Sequence, residues 1–87
     1  MPIAWIPHPM RDMTGGAEKV AVNGANVREV IQALESLYPN LTGLLIKNDQ
    51  LGKGIAVAVD GRIVRRGLYE PLQSDSEIHF IPALGAG

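Results

Sequence analysis

Val27, Val30, Ile31, Leu34, Leu37 and Tyr38 recur at three- and four-residue intervals, with Arg28, Gln32, Glu35 and Ser36 between them. That spacing predicts an amphipathic helix with a single apolar stripe. Asn26 stands where an N-cap is needed, and Glu29, three residues on, is placed to close a capping box. Pro39 disfavours helical backbone in the residue before it and ends the helix there. A lone helix cannot bury its own stripe, so the rest of the chain must supply a sheet for it to cross.

The remaining segments read as strands. Ile3 to Pro7 is β-compatible, but Pro7 and Pro9 place it at a strand end or an irregular edge. Thr14-Gly15-Gly16 signals a turn, and Glu18 to Val22 then reads as a second strand, so the chain opens with a hairpin. Leu41 to Ile46 reads as a short helical turn, followed by a loop from Lys47 to Gly54. Ile55-Ala56-Val57-Ala58-Val59 is wholly apolar, the sign of a buried strand. Asp60-Gly61 is a tight-turn dipeptide that leads into Arg62-Ile63-Val64. Tyr69 to Ser76 connects to a last strand, Glu77 to Ile81, in which Ile78 and Phe80 share one face and Glu77, His79 and Ile81 the other. A hairpin, one main helix and further strands make an α+β chain, a mixed sheet with the helix packed across one face.

Composition bounds what such a chain does. Its 87 residues make one domain. The net charge of -1, from eight basic and nine acidic residues, argues against a general nucleic-acid binder, which needs a basic excess to release counterions. Arg62, Arg65 and Arg66 form a local basic cluster, either a solvated strand and turn or a docking patch for an acidic partner. The absence of cysteine excludes disulfides, thiolate nucleophiles and cysteine metal sites. His8 and His79 lack ligand spacing, so no metal site is expected. No catalytic triad order or phosphate-binding glycine loop occurs, and Gly52-Lys53-Gly54 reads as a turn. No apolar run approaches the ~20 residues that span a bilayer. Met1 to Pro9 lacks the basic flank and apolar stretch of a signal peptide, so the expected compartment is the cytoplasm.

The last residues, Ile81-Pro82-Ala83-Leu84-Gly85-Ala86-Gly87, are nearly free of side-chain bulk. Pro82 is expected to end strand pairing. Leu84 to Gly87 can then reach at most ~13–14 Å beyond the strand, enough to enter a partner's pocket. A terminal carboxylate is the one candidate reactive group.

Taken together, Val27 to Pro39, Val57-Ala58-Val59-Asp60-Gly61 and Leu72 to Gly87 resemble the MoaD/ThiS-type, ubiquitin-like sulfur carriers: the small subunit of molybdopterin synthase and the thiamine-pathway carrier. The resemblance implies a β-grasp domain over residues 1–83 with a reactive tail at 84–87. It implies a carrier and co-substrate, not an enzyme acting alone. The Gly87 carboxylate would be adenylated by a ubiquitin-activating-enzyme-like adenylyltransferase, with ATP and magnesium held by that partner and no cofactor bound by the chain. A persulfide or sulfide source would convert it to a thiocarboxylate, and a sulfur-acceptor synthase subunit would receive the sulfur for cofactor or metabolite biosynthesis. Gly85 and Ala86 would thread the tail into the activating enzyme. Leu84, Ile81 and His79, with Arg62 and Arg65, are the expected partner-binding residues. Nucleic acid and membrane are not expected partners. The family ends in Gly-Gly, whereas this chain ends Gly85-Ala86-Gly87, and the added Cβ narrows φ/ψ and adds bulk. Two alternatives share the fold: a protein modifier conjugated through its C-terminus, and a non-catalytic β-grasp interaction module.

Overall fold

Helix α1 spans Val27–Leu37, and its start is fixed by two side chains. Asn26 Oδ1 accepts a hydrogen bond from the Glu29 amide at 2.9 Å. Glu29 Oε1 accepts in return from the Ala25 amide at 2.8 Å, one residue earlier than a capping box places it. Val27, Val30, Ile31 and Leu34 are fully buried, as the stripe predicts. Leu37 is not: it is 58% exposed. At roughly 100° per residue it falls about 70° from the centre of the stripe, and Tyr38 takes the inward place as a half-buried residue.

The computed structural model describes residues 1–82. The expected domain boundary after residue 83 and the tail residues Leu84, Gly85, Ala86 and Gly87 lie outside them. Strands β1 (Ile3–Trp5), β2 (Lys19–Ala21), β5 (Ile55–Val59), β6 (Arg62–Ile63) and β7 (Glu77–Pro82) form one mixed sheet in the order β2-β1-β7-β5-β6. β1 runs parallel to β7, and the other neighbours are antiparallel. This is the β-grasp arrangement. Ala4, Val57, Ile78 and Phe80 point inward with the helix stripe, Leu41 and Leu45 to form the core. Each large side chain buried there contributes about 1.5–3 kcal/mol.

Three local readings are corrected. β1 is not an edge strand: it lies between β2 and β7. Pro7 and Pro9 fall beyond its end, where they open a 3-10 turn over His8–Thr14. The segment expected as a loop after Lys47 contains a two-stranded hairpin, β3 (Ile46–Lys47) with β4 (Gln50–Leu51). Its turn residues Asn48 and Asp49 both take left-handed backbone, at φ 53° and 60°, the conformation a tight hairpin turn requires. The last strand, expected to run from Glu77 to Ile81, takes in one residue more: Pro82 is the last residue of β7, opposite Ile55.

The Asp60-Gly61 turn forms as expected, with φ of 51° and 84°. It is also anchored to the start of β7. The Glu77 amide donates to Asp60 Oδ1 at 2.9 Å, and the Asp60 amide donates to the Glu77 carbonyl at 2.9 Å.

Candidate functional site

The sheet has one face under α1 and one face free of it. On the free face the strand registers align a row of side chains across all five strands. Trp5 lies opposite Lys19 on β2 and opposite His79 on β7. His79 in turn lies opposite Ala58 on β5, and Ala58 opposite Ile63 on β6. One step along β7, Ile81 lies opposite Ala56.

The middle of this row is a built unit. The Trp5 and His79 rings stack with centroids 5.2 Å apart and planes 9° from parallel. Lys19 Nζ sits 5.4 Å from the Trp5 ring centroid, within the range of a cation–π contact. The Trp5 indole N–H donates to Glu77 Oε1 at 2.9 Å. The indole is thus held from three sides, and its flat stack with the imidazole presents a firm amphipathic surface. Ile81 and Ile63 extend that surface at 40% and 61% exposure. Ala56 and Ala58 leave its floor low.

Parallel pairing of β1 with β7 brings the C-terminal ends of both strands to the same edge. There an open groove of about 450 Å³ runs between Trp5, Pro7, His8, Pro9, His79 and Ile81. Arg11 stands at its wall, 3.5 Å from Glu18, with its Nε–H donating to the Ile6 carbonyl at 3.2 Å. The prolines that stop β1 therefore shape the surface beside the point where β7 ends. Among the described residues, no three His, Asp or Glu side chains converge in a metal-binding cluster, and no helix is long and apolar enough to cross a membrane.

Of the expected partner-binding residues, the fold brings His79 and Ile81 together on this free face. Arg62 is separated from them: it pairs with Val59, whose side chain is buried on the helix side, so alternation turns Arg62 away from His79. Arg65 lies beyond β6, beside a different hollow next to Arg66 and Tyr69. Leu84 and the threading residues Gly85, Ala86 and Gly87 lie outside the described residues. Trp5 is the residue the sequence pattern passes over. As the chain's single tryptophan, sharing the parity of Ile3 on an alternating strand, it carries the signal that would have found it.

The model of the ThiS family matches residues 5–87. The chain belongs to the ThiS family. Solved structures agree with a ThiS-family, ubiquitin-like fold. A chain of the Amycolatopsis orientalis BexX/CysO complex is 30% identical, with all of both chains covered and a TM-score of 0.91. CysO of Mycobacterium tuberculosis is 25% identical over 97% of this chain and 100% of its own, with a TM-score of 0.87. Small archaeal modifier protein 1 of Methanosarcina acetivorans shares the fold at 23% identity and a TM-score of 0.84, covering 99% of this chain and 95% of its own. No curated protein sequence matches the chain.

Proposed function

We propose that this ThiS-family protein is a sulfur carrier whose reactive group is the carboxylate of Gly87. The observation that carries the reading is the reach of the family match, which runs from Trp5 to Gly87 and so includes the terminal glycine. A carboxylate is ionised at neutral pH and is a poor electrophile. Its oxygen attacks the α-phosphorus of ATP at a partner adenylyltransferase, which holds the magnesium, and pyrophosphate leaves. Sulfide then adds to the acyl carbon, AMP departs, and Gly87 carries a thiocarboxylate. A donor persulfide instead attacks through its outer sulfur and displaces AMP to give an acyl disulfide. A second thiol of the donor then cleaves the S–S bond, releasing the thiocarboxylate and leaving a disulfide on the donor. The thiocarboxylate passes its sulfur to an acceptor in a synthase partner.

The chain's own part is presentation. β7 lies between β1 and β5 in a fixed register, so the last described residues before the tail are held inside the sheet. Gly85 and Ala86 carry little bulk through a narrow passage. The Trp5–His79 stack, with Ile81, gives the partner a firm surface at the end of β7. The relative in the BexX/CysO complex was solved as part of a two-protein assembly, which supports a carrier that works in a partner's grip. Cytoplasmic residence fits this chemistry.

The test is ATP–pyrophosphate exchange with the cognate adenylyltransferase. Exchange should depend on the carrier and disappear when Gly87 is deleted. Exchange that survives the deletion refutes the reading.

A further inference from the structure

A second surface lies away from the Trp5–His79 stack. Arg65 and Arg66 follow β6, and Arg66 opens a 3-10 turn over Gly67–Tyr69. The Tyr69 amide donates to the Arg66 carbonyl at 3.0 Å, which fixes the two residues relative to each other. Gly67 takes φ 56°, left-handed backbone that lets the chain turn so tightly. Tyr69 is 71% exposed, the most exposed large apolar residue described.

This turn packs beside α1 and β4. Between the turn and β4 is a hollow of about 170 Å³, lined by Asp49, Leu51, Arg65, Arg66 and Tyr69. Of the lining residues, Asp49 accepts from Arg28 of α1 at 2.7 Å, closing an ion pair that ties the helix to the β3–β4 turn. The hydrogen bond to Asp49, and then its charge, hold the Arg28 guanidinium above its ordinary value. Asp49 is therefore already committed to Arg28. Arg65 and Arg66 are exposed and form no ion pair among the described residues.

We propose that this hollow is a second docking site, separate from the Gly87 chemistry, for an acidic segment of a partner protein. Two free guanidinium forks match two carboxylates, each by paired N–H···O bonds. The hollow is too small for a cofactor, whose pockets run to about 300–1,000 Å³, but it accepts one apolar side chain against Tyr69 and Leu51. Arginine with exposed tyrosine is the composition of interface hot spots. A nucleic acid is the poorer occupant, because a chain of net charge -1 lacks the extended basic track that phosphate binding uses. A carrier held at this face keeps its Trp5–His79 surface free for another protein.

The probe is the peptide Asp-Glu-Phe-Glu-Asp, acetylated and amidated, titrated into the 15N-labelled full chain. Saturable amide shifts are expected at Arg65, Arg66, Gly67 and Tyr69, and not at Trp5 or His79. The peptide with Asn and Gln in place of its acids should bind roughly tenfold more weakly or worse. Arg65→Glu with Arg66→Glu should weaken binding by at least about tenfold, whereas Arg62→Glu should change it less than about twofold. Tyr69→Ala, at an exposed position, should weaken it while leaving the far-UV spectrum of the fold intact. Deleting Gly87 should leave it unchanged. The proposal fails if no saturable shift appears, if the shifts map to Trp5 and His79, or if an oligonucleotide of equal charge binds as well as the peptide.

Discussion

The imidazole of His79 lies flat on the indole of Trp5, with centroids 5.2 Å apart and planes 9° from parallel. The pair joins two strands that run parallel at the centre of the sheet yet are 72 residues apart where Trp5 bonds Glu77. An aromatic pair of this kind contributes about 0.5–1.5 kcal/mol beyond its buried area. Trp5→Ala and His79→Ala should therefore each lower stability by about 1–2 kcal/mol, and a double-mutant cycle should return a coupling of about 0.5–1.5 kcal/mol. Urea unfolding of the four proteins measures it.

Ile81 is 40% exposed on the same face, so its side chain adds little to the core. Ile81→Asp should leave the unfolding midpoint nearly unchanged. It should raise the KM for the carrier in the adenylyltransferase reaction by roughly 10- to 100-fold, the size of a hot-spot loss, with kcat much less affected. Equal KM values for the two proteins would remove Ile81 from the docking surface.

Gly24 owes its place to close approach rather than to an unusual φ. A Cβ on it would meet Val30 Cγ2 at 2.7 Å and the Val30 amide nitrogen at 2.8 Å. The backbone before α1 lies against the first turn of the helix, with no room for a methyl group. Gly24→Ala should cost about 1–3 kcal/mol, read from chemical denaturation, although it introduces no forbidden dihedral.

Leu34 and Leu37 are three residues apart and read alike in sequence. Leu34 is fully buried, whereas Leu37 is 58% exposed. Leu34→Ala should cost about 2–5 kcal/mol, a large share of the ~4–13 kcal/mol expected of a domain this size. Leu37→Ala should stay within about 0.5 kcal/mol. Thermal and urea melts of the two variants decide it.

What could be read from the sequence was what local chemistry specifies. The Asn26 cap, the four buried stripe residues, the left-handed Asp60-Gly61 turn and the alternation of Ile78 and Phe80 against His79 and Ile81 each follow from a period or a turn preference within a few residues. What could not be read was set by distant pairing or by elements too short to show a period. Nothing near Ile3 reveals that it lies beside Glu77, so β1 looked like an edge when it is interior. The two-residue strands of the β3–β4 hairpin leave no alternation to detect, and its Asn48-Asp49 turn lacks the usual glycine. At the candidate site the same limit applied. The alternation in β7 placed His79 and Ile81 on one surface, but only the cross-strand registers added Trp5 to it and turned Arg62 to the other side.

Under the proposed function Gly87 is the reactive group and Ala86 does not block it. The most direct measurement is the intact mass of the protein after incubation with its cognate adenylyltransferase, ATP-magnesium and sulfide, with fragmentation to locate any change. The expected result is the mass gain of one oxygen exchanged for sulfur, confined to Gly87. The same gain is expected at an equal or higher rate in Ala86→Gly, and none when Gly87 is deleted. An unchanged mass in both the wild-type chain and Ala86→Gly, or the same gain in the chain lacking Gly87, would contradict the proposed function.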